Sequence, residues 1–197
     1  VFESKLTQEF RLHFDEKIAE MFQSIGIREG SVWIEVFHDG ENYYFNEVGF
    51  RYGGSVSIYP VDYFYQINQV AADIHYALTG ESCISEHTSL IRSTLPRKKY
   101  YCIYPVHINA GTISSISGLD KIAQLENIVY LATTKYLHDR IESSGSFSQV
   151  FALVHFVCNT TEECIQTIDR IHQMLVVFDE HGNNMVNRML DVGKIIF

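Results

Sequence analysis

The sequence contains no run approaching eighteen consecutive apolar residues, no signal-like leader and no cluster of basic residues. The first two absences argue against a membrane span and against export. The third, with 15 Lys and Arg set against 24 Asp and Glu for a formal net charge of −9, argues against a nucleic-acid surface. The short run Arg97-Lys98-Lys99 reads as the edge of a linker. Cysteine is scarce, and Cys83, Cys102, Cys158 and Cys164 show no CxxC spacing. Cys102 and Cys158 sit in apolar, strand-like runs, and all four read as reduced thiols of a cytosolic protein, not metal ligands. The nine histidines show neither HExxH nor other ligand spacing, so they read as surface and packing residues.

What is present is ordinary for a folded chain: 197 residues, 46% hydrophobic and 20% charged, enough for one large domain or two small ones. Phe14, Ile18, Met21, Phe22 and Ile25 recur at helical spacing before Gly26, which predicts an amphipathic helix over about residues 8 to 25. Beyond a loop holding Gly53, Gly54 and Pro60, a second helix is marked by Tyr63, Ile67, Val70, Ala71, Ile74 and Leu78 and ended by Gly80. The aromatic stretch Tyr59 to Tyr65 reads as core packing at the start of that helix.

Between the helices lies the most informative stretch. Val32 to Phe37 and Tyr43 to Val48 alternate β-branched and aromatic residues about Asp39-Gly40, which predicts a β-hairpin. The register decides what it can do. With Asp39-Gly40 as the centre of a tight turn, Glu35 and Glu47 point to opposite faces. With a three-residue loop from Gly40 to Asn42, Asp39 faces Tyr43 and Glu35 lies opposite Glu47, their Cβ atoms roughly 4.5–5.5 Å apart. Two carboxylates that close repel by about 3 kcal/mol at an effective dielectric near 20, so a cation between them would relieve the strain. Spacing alone leaves open that both are solvated acids. Asn46, by alternation, is expected on the other face.

Residues 32–54 resemble the metal-binding hairpin of the ATP-grasp superfamily, in which one strand ends in an acid and the next carries Glu-x-Asn-x-Arg followed by glycines. Glu35 matches the first acid, Glu47 the second and Arg51 the arginine, with Gly53-Gly54 after them. The resemblance implies that both glutamates hold Mg²⁺ ions bridging the phosphates of ATP, and that Arg51 stabilises an acyl phosphate or its transition state. Those residue types suit the task, since Mg²⁺ takes oxygen ligands and a guanidinium offers a fork to phosphoryl oxygens. Gly49 stands where the family has an asparagine ligand. That departure leaves three readings: a second ion held by water and phosphate, a single-ion site, or lost activity.

From Glu81 to Lys99 the pattern loosens around Pro96, a boundary that divides the chain into 1–95 and 96–197. Beyond it the sequence predicts strands at 100–108, 112–116, near 128–134, 149–158 and 175–178, with helices near 118–125 and from 161 to about 175. Thr160 and Glu163 have the spacing of a capping box. This second unit is similar to the small α+β sandwich that follows the ATP-grasp domain in biotin carboxylases and L-amino-acid ligases. Ala110 to Leu119, Val154-His155-Phe156-Val157, Thr160 to Glu163 and Val177-Phe178-Asp179 carry the likeness.

The fold class expected is therefore α+β: the C-terminal subdomain of an ATP-grasp fold followed by that sandwich. A chain that begins with Val1 almost directly on a helix reads as a C-terminal fragment, inactive alone, whose adenine and substrate contacts come from a preceding N-terminal part. The resemblance, which extends to carbamoyl phosphate synthases, implies an ATP-dependent ligase of the cytoplasm that activates a carboxylate for an amine or similar nucleophile, with ATP and Mg²⁺ as cofactors. Small carboxylates and amines are its expected partners, with a homodimer as the expected assembly. The other reading is a degenerate, noncatalytic module that binds nucleotide or a protein partner.

Overall fold

The computed structural model describes residues 2, 4–54, 56–84 and 99–188. Pro96, Arg97, Lys98 and Val1 lie outside the described residues. The chain divides into two compact units, one made of Glu9–Pro96 and the other of Val1–Gln8 with Arg97–Phe197.

Helix α1 (Lys5–Ser24), which lies in the first unit from Glu9 on, ends at Gly26, whose φ of +86° admits glycine most readily. The Gly26 amide donates to the Gln23 carbonyl at 3.0 Å and the Ile27 amide to the Phe22 carbonyl at 3.0 Å, the paired bonds of a Schellman stop. Strands β1 (Trp33–His38) and β2 (Tyr43–Gly49) form an antiparallel hairpin. Phe10 and Phe14 of α1 pack their rings against Tyr43 and Phe45, with centroids 5.4–5.7 Å apart. Met21 and Ile25, which share the helical stripe, stay exposed.

The region read as one second helix is two. Helix α2 (Ile58–Tyr65) stops where Gln66 takes a left-handed φ of +56°, and α3 (Gln69–Thr79) begins afresh with Asn68 accepting a hydrogen bond from the Ala71 amide at 3.0 Å. An asparagine that caps outweighs a continuous apolar stripe. Pro60 sits in the first turn of α2, where no amide is missed. Gly80 closes α3 in the left-handed region, as its position predicts.

The second unit holds strands β3 (Tyr100–His107), β4 (Gly111–Ser117), β5 (Ile128–Thr133), β6 (Arg140–Ile141), β7 (Val150–Cys158) and β8 (Val176–Asp179). Helices α4 (Leu119–Ala123) and α5 (Thr161–Met174) complete it. One antiparallel sheet runs β3-β7-β5 and a second runs β6-β4-β8. β7 reads VFALVHFVC without alternation because, as the central strand, it is covered on both faces. Its Phe151, Val154 and Phe156 join Val106, Ile113, Ile122, Ile171 and Leu175 in one buried core. The two-residue β6 carries too little pattern to be read from sequence.

Thr160 caps α5 by accepting from the Glu163 amide at 3.2 Å. Glu163 reaches back one residue further than a capping box requires, to the Asn159 amide at 2.6 Å and its side-chain Nδ2 at 2.8 Å. No helix of the described residues is long and apolar enough to cross a membrane.

Candidate metal and phosphate site

The hairpin register is neither of the two simple ones. His38 pairs with Tyr43, Phe37 with Tyr44 and Val36 with Phe45, so four residues, Asp39 to Asn42, form the turn. Asp39 holds it by accepting from the amides of Glu41 at 2.9 Å and Asn42 at 2.8 Å and from the Tyr44 hydroxyl at 2.9 Å. Those bonds, led by the Asn42 amide, lower its carboxyl pKa to about 2.

Between Glu35 and Val36 the register then shifts by one residue. The extra residue is Asn46, and beyond it Glu35 pairs with Glu47, Ile34 with Val48 and Trp33 with Gly49. The acids thus meet as the three-residue loop requires, but a bulge in β2 brings them there and not the loop.

The bulge also corrects the expectation for Asn46. Alternation places it on the face opposite Glu47, yet its Nδ2 donates to Glu35 Oε2 at 2.5 Å. A bulge sets two residues of one strand against one of the other, so alternation fails at that step. Asn46 is the residue that sequence reasoning set aside; the signal for it is the length of the turn, which must be known before the bulge can be inferred.

Paired residues share a face, so Trp33, Glu35, Glu47 and Gly49 lie on one side of the hairpin, while Tyr43 and Phe45 turn to α1 on the other. Arg51 joins the acidic side. Its guanidinium carbon lies 4.9 Å from the centre of the Trp33 ring, an Nη2 is 3.8 Å from Glu47 Oε1, and Nη1 donates to the Tyr52 carbonyl at 3.1 Å. Arg51 and Glu47 each expose 55% of the side chain, so the ion pair between them is a weak, solvent-screened one.

Two glycines make this packing possible. A Cβ on Gly49 would lie 3.3 Å from Arg51 Nε and 3.4 Å from its Cγ, so the arginine occupies the space a side chain at 49 would claim. A Cβ on Gly53 would lie 2.7 Å from Trp33 Cδ1 and 2.6 Å from Ser57 Oγ, closer than real contacts allow. Gly53 is therefore needed for the close approach of the Trp33 ring, whereas Gly54 faces open space. The ends of the hairpin are tied to α3 through Asp73, whose Oδ2 accepts from Ser31 at 3.1 Å and from the Tyr52 hydroxyl at 2.6 Å.

The donor set suits a hard cation. Two carboxylates stand opposite each other, Glu35 half-buried and Glu47 exposed, and the Asn46 amide beside them has a carbonyl oxygen to offer. Arg51 adds a positive charge to the cluster, on a side chain exposed enough to reach an anion brought in by the metal.

The fold is shared with two solved structures, matched over part of their length. An L-amino acid ligase from Bacillus licheniformis superposes with a TM-score of 0.70 at 22% identity, covering 90% of this chain and 43% of that one. A phosphoribosylglycinamide synthetase from Anaerococcus prevotii superposes with a TM-score of 0.65 at 14% identity, covering 84% and 41%. Both are ATP-grasp enzymes, and the chain spans about two-fifths of the length of each. No protein-family model and no curated protein matches the sequence.

Proposed function

We propose that the chain is the C-terminal part of a cytoplasmic ATP-dependent ligase that activates a carboxylate as an acyl phosphate for attack by an amine or similar nucleophile. One observation carries this reading: Glu35 and Glu47 stand opposite each other with Arg51 on the same face, in a fold shared with two ATP-grasp enzymes. Glu35 and Glu47 would hold Mg²⁺, with the Asn46 oxygen as a further ligand in place of the asparagine that Gly49 replaces. Bound there, Mg²⁺ supplies the positive charge that neutralises the β- and γ-phosphates of ATP. Arg51 would swing from Glu47 to the transferred phosphoryl group, its guanidinium presenting two parallel N–H bonds. Adenine and substrate would be bound by an N-terminal part of the same protein, so the chain alone is inactive on this reading.

The test is ADP release by the full-length protein with Mg²⁺ and ATP, challenged with pooled amino acids and other small carboxylates beside candidate amines. Release that depends on one acid establishes the ligase. In that protein Glu47→Gln abolishes turnover while leaving the melting temperature nearly unchanged, and turnover that survives the substitution ends the assignment.

A second reading is favoured by Gly49 and by the way Arg51 lies over Trp33 in the space it leaves. It is a noncatalytic module that binds nucleotide or a protein partner. Nucleotide binding by the folded full-length protein without ADP release selects it.

A further inference from the structure

Three of the four cysteines, remote from one another in sequence, meet in the core of the second unit. Tyr100 pairs with Cys158 and Cys102 with Phe156 across β3 and β7, so Cys102 and Cys158 are diagonal neighbours on one face of the sheet. Cys164 comes down onto them from the first turns of α5, positioned by the Thr160 cap. Cys102 Sγ lies 3.6 Å from Cys158 Sγ and 3.7 Å from Cys164 Sγ, and all three sulfurs fall within 4.8 Å of one another. The residues are 4%, 2% and 2% exposed, and all are free thiols.

We propose that Cys102, Cys158 and Cys164 form a three-sulfur site for a soft, monovalent d¹⁰ cation of the copper(I) class. The spacing fits: around an ion with metal–sulfur bonds of about 2.3 Å, three sulfurs stand about 4 Å apart in a plane or about 3.8 Å apart on a tetrahedron. The two edges at Cys102 have to lengthen by only a few tenths of an ångström, and the third lies within 4.8 Å. The number of donors selects the ion. No fourth histidine, cysteine or carboxylate joins the cluster among the described residues, and the nearby Glu163 carboxylate is engaged by Asn159. Structural zinc takes four ligands, whereas thiolates alone in a dry pocket suit copper(I).

The surroundings favour the thiolate forms that such an ion needs. Cys164 lies in the first turns of α5, the end of a helix that favours negative charge. An incoming cation displaces the thiol protons, which leave to solvent.

A route exists for both. Cys158 lines a cleft of about 730 Å³ at the surface of this unit, shared with Glu163, Lys99 and Arg170. None of this draws on the hairpin, which belongs to the other unit.

The experiment is a titration of the reduced, metal-free full chain with the copper(I)–bicinchoninate complex under argon. The expected result is transfer of one copper per chain, a near-ultraviolet sulfur-to-copper charge-transfer band, and a raised melting temperature, since the ion binds only the folded cluster. Cys158→Ala and Cys164→Ala, each checked for a cooperative melt without copper, should weaken retention roughly tenfold or more, while Cys83→Ser should retain it. Copper that stays with the chelator in the wild-type protein overturns the site, whether or not the variants fold. So does copper lost with Cys83→Ser, or one held equally well after either alanine substitution; the three sulfurs would then be core packing only.

Discussion

Asn46 donates its side-chain amide to Glu35 at 2.5 Å, from a position that strand alternation assigns to the opposite face. The bond occupies Glu35 Oε2 and leaves its other oxygen for a cation. If the hairpin holds Mg²⁺, removing Asn46 takes away a ligand oxygen and the partner that holds Glu35, without unfolding anything. In the full-length protein, Asn46→Ala is expected to weaken Mg²⁺-dependent ATP binding by roughly tenfold in calorimetry, with the metal-free melt shifted by less than about 0.5 kcal/mol, as for other exposed positions. Unchanged nucleotide affinity would assign Asn46 to the bulge alone.

Gly49→Asn separates the working site from the degenerate one. The new Cβ meets Arg51 at 3.3–3.4 Å, a contact that a flexible arginine relieves by moving a few tenths of an ångström. Stability should therefore change by less than about 1 kcal/mol. Where Asn46 already supplies the missing oxygen, restoring an asparagine at 49 adds little to Mg²⁺ affinity. Where the site has decayed, it strengthens that affinity, and the same calorimetric titration reads either outcome.

Most of the hairpin was legible because its two signals are local: alternation of Val32 to Phe37 and of Tyr43 to Val48, and the Asp39-Gly40 turn. The bulge at Asn46 was not, because it depends on a four-residue turn whose length is set by Asp39 gathering the amides of Glu41 and Asn42. The break between α2 and α3 was missed for a related reason. Its apolar stripe runs on through Tyr63, Ile67 and Val70, and only the left-handed Gln66 and the capping Asn68 interrupt it. The cysteine cluster leaves no trace in spacing at all, since Cys102 reaches Cys158 through sheet pairing and Cys164 through a helix folded back on the sheet. By contrast β7 and α5 were plain, one from an unbroken apolar run and the other from period and cap together.

Gly118 and Gly145 both have positive φ, +95° and +62°, but differ in what surrounds them. A Cβ at 118 would overlap the carbonyl oxygen of Met174 and lie 3.3 Å from the Leu175 Cα, so the end of α5 would have to move. Nothing stands within 4 Å at 145. Gly145→Ala should then cost about 1 kcal/mol, the strain of a left-handed alanine, and Gly118→Ala about 2–4 kcal/mol, strain and overpacking together. Urea denaturation of the two variants measures the difference, and equal midpoints would mean that the turn at Gly118 relaxes freely.

Tyr52 and Asp73 give the hairpin a signature at high pH. The hydrogen bond to Asp73, with partial burial, raises the Tyr52 hydroxyl pKa from 10.0 to about 12, so the folded chain holds its proton where the unfolded chain releases it. The folded state then binds more protons than the unfolded state above pH 10, and stability falls as pH rises. The contribution is fully present below about 10 and lost progressively as pH approaches 12. Tyr52→Phe removes it at every pH: the variant should be about 1 kcal/mol less stable at neutral pH, because Asp73 keeps only the Ser31 hydroxyl, and its stability should fall less steeply between pH 10 and 12. Denaturant midpoints of the two proteins across pH 8 to 12 test this, and parallel curves would show that the hydroxyl titrates alike in the folded and unfolded chain.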